Sequence, residues 1–265
     1  MSLASTAGSA AMQSPKPQAP NIFARQRVAA KFARARLRQT RAGAASFLSD
    51  AIAEDLAERM DFMQLSPKRA LVVGDGSGSL SKGLNALGAQ VTNGLLGQFD
   101  EEVPQEAGEA YDTILHSMGL GMVNDLPGAL IHARHSLAEN GLFFAAFPGA
   151  GSLPVLRQLA LVADGDRPAA RMHPLVDNRA GTALIERAGF KRQVVDSCPL
   201  NVRYSSLHQL VEDLRDHGLT ASLTSAAPPL TRDGWAKAKD AFDALRDADG
   251  KVTERFELLT LTGWR

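Results

Sequence analysis

A single cysteine, Cys198, serves a chain of 265 residues. With no second thiol there is no internal disulfide, which excludes the stapled scaffolds common among secreted proteins. Excess charge of either sign is also missing, since 29 Lys and Arg balance 29 Asp and Glu. A neutral chain carries no global electrostatic footprint for specific nucleic-acid binding or for an anionic membrane. No apolar run approaches the roughly 18 to 20 residues that a membrane span needs. The first stretch, Met1 to Pro20, is Ala, Ser, Gly and Pro with Lys16 its one charge. It lacks the basic start and long apolar centre of a signal peptide, so a disordered tail (1–20) and a cytoplasmic protein are the expectations. What remains, 45% hydrophobic and 22% charged residues in 28.2 kDa, suffices for one substantial domain with an appendage.

The appendage comes first. Asn21 to Arg41 holds seven basic residues, Arg25, Arg27, Lys31, Arg34, Arg36, Arg38 and Arg41, and no acid. Ile22, Phe23, Val28, Phe32 and Leu37 recur at spacings near four to five, which predicts a cationic amphipathic helix. It is either a solvated helix packed on the domain or a contact for an anionic surface or a protein. A second helix is predicted over Phe47 to Met63, with Ala51, Ile52, Leu56 and Met60 on one face and Asp50, Glu54, Asp55 and Glu58 elsewhere. Opposite charge suggests that the two pack together. This helical pair, basic then acidic, occupies 21–64, and the main domain is 65–265.

After Ser66-Pro67 a short apolar run, Arg69 to Val73, ends in Gly74-Asp-Gly-Ser-Gly78, and a helical pattern follows over Leu80 to Leu87. Strands are then predicted at Gln90–Leu96, Thr113–Met118, Gly141–Ala146, Gln193–Leu200 and Glu254–Leu261. Helices are predicted at Asp125–Leu137, Ser152–Asp164, Asp177–Ala188, Ser206–His217 and Thr231–Asp247. Such alternation predicts an α/β sandwich with a mainly parallel sheet, its ligand crevice at the carboxyl ends of the strands. The glycine loop lets backbone approach a ligand, and the helix start offers free N–H groups to an anionic group. A nicotinamide dinucleotide site would need a sixth-position glycine, where Ser79 stands, and an acid about 20 residues on, where Asn93 stands. A purely structural tight turn is the plain alternative.

The loop Val72-Val-Gly-Asp-Gly-Ser-Gly78, Met122-Val-Asn-Asp-Leu-Pro-Gly-Ala-Leu130, Leu137-Ala-Glu-Asn-Gly-Leu-Phe-Phe144, Arg187-Ala-Gly-Phe190 and Leu261-Thr-Gly-Trp264 together resemble the class I S-adenosylmethionine-dependent methyltransferase family. More narrowly the chain is similar to bacterial relatives of the methyltransferase-like assembly factor of respiratory complex I, over Asn21 to Arg265. The Val-Asn-Asp-Leu-Pro-Gly segment and the closing Thr-Gly-Trp belong to that subgroup, whereas the glycine loop is generic. The resemblance implies a Rossmann-like fold and S-adenosylmethionine as cofactor, held by Gly74, Asp75, Gly76, Ser77, Gly78, Asn93, Ser117 and Met118. It implies as partner a protein substrate or a complex I subunit. It leaves methyl transfer, protein arginine hydroxylation and a non-catalytic assembly module all open.

Three positions depart from the family. Val72 stands where an acid precedes the first glycine by two residues, and Asn93 stands where an acid would accept from both ribose hydroxyls. Between Gly78 and Tyr111 there is too little chain for the usual third strand and its adenine-contacting loop, so Gly97 to Glu109 reads as a loop or short helix. Missing carboxylates predict weakened cofactor affinity, restorable by Asn93→Asp with Val72→Asp. Elsewhere, His116 ends a strand beside the crevice, which suggests a substrate contact or a packed histidine. His132 and His135, three apart on a helix, could chelate a metal but have no third ligand nearby, so no metal site is expected. Cys198, before Pro199 in an apolar strand, reads as a buried inert thiol. Asp247-Ala-Asp-Gly250 reads as a turn, lacking the closing Glu of a calcium loop.

Overall fold

The computed structural model describes residues 20–105, 108 and 110–265. The tail expectation for 1–19 therefore lies outside the described residues, as do positions 106, 107 and 109 of the expected loop. Among the described residues six strands form one sheet: β1 Arg69–Val73, β2 Gln90–Gly94, β3 Tyr111–Ser117, β4 Leu137–Pro148, β5 Lys191–Tyr204 and β6 Val252–Trp264. Their order is β2-β1-β3-β4-β6-β5. The β1–β2, β1–β3 and β3–β4 pairs are parallel, and β6 runs antiparallel to both β4 and β5. The last strand is thus antiparallel, but it lies inside the sheet and leaves β2 and β5 as the edges. No third strand lies beyond β2 among the described residues.

The central strands read as continuous apolar runs because both faces are covered. One face buries Val72, Leu115 and Phe144 under α2 (Phe47–Phe62), α3 (Ser79–Ala86), α5 (Pro154–Asp164), α7 (Leu207–Asp216) and α8 (Arg232–Ala244). The other buries Leu71, Ile114 and Phe143 under α4 (Leu126–Ser136) and α6 (Asn178–Arg187). Short polar residues start four of these helices. Asp125, Asp177, Ser206 and Thr231 each accept from a backbone N–H of the first turn, satisfying a donor that would otherwise lack a partner. No helix among the described residues is long and apolar enough to cross a membrane.

The basic helix α1 (Arg25–Gln39) finds its acids in unexpected places. Arg38 pairs with Glu212 and Asp216 of α7, and Arg25 pairs with Asp100 and Glu102 of the loop after β2. The expected pairing of α1 with α2 is replaced because α2 spends its apolar stripe, Leu48, Ile52, Leu56 and Met60, on the sheet. Arg59 of α2 instead forks onto Asp196 of β5 at 2.7 and 2.8 Å. The entry to α1 is clamped by Asn124, whose Oδ1 accepts from Ile22 N–H and Phe23 N–H at 2.8 Å and whose Nδ2 donates to the Phe23 carbonyl at 3.1 Å. Phe23 and Phe32 then close a small core with Met122 and Leu223.

Candidate functional site

At the carboxyl ends of β1, β2 and β3 lies a cavity of about 840 Å³. Its floor is the glycine loop, which must be glycine at its first position. Gly74 has φ +83°, and a Cβ there would lie 2.2 Å from the Ser117 carbonyl oxygen. Only a residue without a side chain holds that conformation and that approach. Gly76 differs, since nothing lies within 4 Å of where its Cβ would be. Gly78, also in the left-handed region at φ +72°, turns the chain into α3.

The cavity collects Gly74, Asp75, Gly76, Ser77, Gly78, Asn93 and Met118. Met118 is buried and holds φ +69°, a conformation that costs a residue with a side chain about 1 to 3 kcal/mol and clusters at functional sites. Ser117 does not line the cavity; it stands behind the loop, its carbonyl against Gly74. Asp75 ties the loop to α3, its Oδ2 accepting from Ser81 N–H at 2.8 Å and from Ser81 Oγ at 2.7 Å. Ser81 Oγ is in turn 2.7 Å from Asn93 Oδ1.

The remaining walls come from parts of the chain that carried no motif. Phe32, Ala35 and Arg36 of α1, Asp50 of α2, and Asp216 and His217 at the end of α7 all face the cavity. Arg36 is steadied by donating to the Leu96 carbonyl at 2.7 Å. His217 packs edge-on against Phe47 at 4.7 Å, and its buried Nε2 has no hydrogen-bond partner among the described residues. Burial pushes this imidazole down to about 4, against the attraction of Asp216 and Asp50, so it is neutral at pH 7. No sequence signal marks His217, because a residue closing a helix is brought to the glycine loop only by the whole fold.

Other candidates fall elsewhere. His116 points to the opposite face of the sheet, where Nε2 lies 3.1 Å from Glu101 Oε1, because alternate residues of a strand face opposite ways. It does not reach the cavity. His132 is half-buried and His135 exposed on α4; among the described residues no three His, Cys, Asp or Glu side chains converge to hold a metal. Cys198 is exposed rather than buried, since β5 is an edge strand. Asp247 accepts from the backbone of Asp249 and Lys251 and forms a turn.

A sequence profile described as "Methyltransferase domain" matches residues 44–195, more than half of the chain. The chain belongs to the methyltransferase domain family. Among curated members, the mitochondrial arginine-hydroxylase NDUFAF5 of Mus musculus is 28% identical over 170 residues, 63% of this chain and 50% of that protein. A malonyl-(acyl-carrier protein) O-methyltransferase of Xylella fastidiosa is 30% identical over 159 residues, 60% of this chain and 53% of that one. The chain spans about half the length of these relatives. In the crystal structure of the cyclase SpnF the same fold recurs at a TM-score of 0.51 and 14% identity, over 94% of this chain and 99% of that one. The methyltransferase domain thus has its Rossmann-like architecture here with the class I family's cofactor, S-adenosylmethionine, as the ligand to be accommodated.

Proposed function

We propose that the protein binds S-adenosylmethionine in the 840 Å³ cavity and transfers its methyl group to a protein partner in the assembly of respiratory complex I. The observation that carries this is the convergence of the glycine loop, the end of β2 and the end of β3 on one cavity large enough for a nucleoside cofactor, within the roughly 300 to 1,000 Å³ usual for ligand sites. The residues fit the cofactor. Gly76 leaves the loop backbone open to close approach, and Asn93 offers a hydroxyl-binding amide. When bound, the cofactor supplies a methyl group already activated on a sulfonium, so the protein's part is positioning. Phe32 and Ala35 line the cavity beside His217, which burial keeps neutral at pH 7.

The partner reading rests on the similarity to the complex I assembly-factor subgroup. Arg34 on α1 and Arg41 just beyond it are exposed and offer cations to an anionic surface of that partner. A second reading, a cytoplasmic non-catalytic assembly module, is favoured by the absence of a carboxylate at Val72 and Asn93. Calorimetric titration of the full chain with S-adenosylmethionine and S-adenosylhomocysteine decides between them: saturable binding of both is expected, and no binding would leave only the module.

A further inference from the structure

At the pole opposite the cavity, where the parallel strands begin, the end of α2 and the start of β5 enclose a groove of about 370 Å³ lined by Met63, Val194, Thr262 and Trp264. Phe62 stands on its lip with 89% of its surface exposed. Two positions beyond Met60, which is buried against the sheet, Phe62 lies about 200° further round the helix and takes no part in the core. Val194 is exposed as well, because β5 is an edge strand. A contiguous apolar surface rimmed by charge marks an interaction site, which single exposed side chains do not.

The rim carries both signs. Glu58 and Asp61 are exposed on the helix side, Lys191 and Arg192 on the strand side, and none of the four has an ion-pair partner among the described residues. Arg59, the base nearest the two acids in sequence, is engaged by Asp55 and Asp196. Asp61 lies in the last turn of α2, where the helix dipole disfavours negative charge, so helix stability does not account for it. On the strand side the register of β5 with β6 slips between Lys191 and Val194, and Arg192 holds φ +49°. Such a bulge interrupts pairing at a free edge and re-aims side chains.

We propose that this groove is the interface of a homodimer, in which Phe62 of each copy seats in the groove of the other while Glu58 and Asp61 face Lys191 and Arg192 across a twofold axis. The two signs decide the occupant. An anionic bilayer or nucleic acid would bring like charge to Glu58 and Asp61, and a basic segment would bring it to Lys191 and Arg192. A second copy meets each with its opposite, because a twofold contact sets a patch against its own reverse. The rings form an apolar centre and the charges a polar rim, as in other protein interfaces. The contact lies far from the glycine loop, so it leaves both cavities clear and does not depend on the cofactor reading.

The test is sedimentation of the full chain over a concentration series, with vesicle flotation beside it. The mass is expected to rise from the 28.2 kDa of one chain to twice that and to stop. Phe62→Ser should raise the dissociation constant roughly tenfold or more, the effect of losing an aromatic anchor, and leave the thermal melt unchanged. Glu58→Lys with Asp61→Lys, and separately Lys191→Glu with Arg192→Glu, should each keep the chain monomeric, whereas an equimolar mixture of these two variants should form a one-to-one dimer. That recovery distinguishes charges facing each other from a loss of fold. A monomer at every concentration overturns the proposal, as does a mass that grows past two copies or a dimer that survives Phe62→Ser and both charge variants. Flotation of a monomeric chain with phosphatidylglycerol vesicles would overturn it in favour of a lipid surface.

Discussion

Gly76 and Gly263 both sit in motifs that mark this family, and they are glycines for opposite reasons. A Cβ on Gly76 would meet nothing within 4 Å, whereas one on Gly263 would lie 2.8 Å from Phe190 Cβ and 3.1 Å from Ile185 Cδ1. The first keeps an opening in front of the loop. The second closes a core, letting β6 lie against α6 and the Arg187–Phe190 turn. Asn124, from the other subgroup segment, likewise works as a clamp, holding the entry to α1. The segments that narrow the resemblance are therefore packing devices, and the generic loop is the one at the cavity. Similarity in the former follows the architecture, and chemistry has to be argued from the latter.

The sharpest way to break this comparison is Val72→Asp, two residues before the first loop glycine. Val72 has no exposed surface and belongs to the core under α2 and α3, so the change buries an unpaired charge and should cost more than about 3 kcal/mol in denaturant unfolding. This overturns its use to restore cofactor affinity. Asn93→Asp, the other half of that pair, would set a second carboxylate on the hydroxyl already bound by Asp75.

Acidification should act next most strongly. Burial depresses both His217, on the cavity, and His173, whose Nε2 accepts from Ser222 N–H at 2.7 Å, to about 4. The unfolded chain, titrating near 6.5, takes up these protons first. Stability is therefore complete above pH 6.5 and falls towards pH 4, by at most about 1.4 kcal/mol per pH unit for each histidine. Thermal melts across that window test it, and His217→Gln should flatten only the part due to the cavity.

Gly263→Ala should cost roughly 1 to 3 kcal/mol by overpacking against Phe190 and leave ligand affinity unchanged. Gly76→Val should do the reverse, altering stability by under about 1 kcal/mol while weakening S-adenosylhomocysteine binding roughly tenfold or more through lost backbone approach. Calorimetry beside urea unfolding separates the two. Equal behaviour would dissolve the distinction between a glycine that guards space and one that fills it.

Much of this was legible in the residues. Arg69–Val73, Gly74–Gly78 and the following helix announced themselves because strand run, turn glycines and helical period occur in sequence, and the polar starts of α4, α6, α7 and α8 are local signals of the same kind. The length of β5 was not legible: its Asn201 to Tyr204 stretch is polar, and it is a strand because β6 offers a partner through Val252. Charge complementarity misled for α1, since α2 looked like its acidic partner while α7, far along the chain, supplies Glu212 and Asp216. Within the site, the loop and Asn93 were visible by spacing. Phe32, Asp50 and His217 were not, for each is an ordinary helix residue until the fold delivers it.

The Arg38–Asp216 ion pair joins residues 178 apart and anchors one wall of the cavity to another. Bringing such distant residues together loses loop entropy before any contact rewards it, which delays their meeting. During synthesis the glycine loop leaves the ribosome early, but its cavity must wait until α7 has emerged and α1 has docked upon it. A ligand of this cavity consequently arrives last, and by mass action it stabilises the finished molecule from its first helix to its seventh and not the nascent loop.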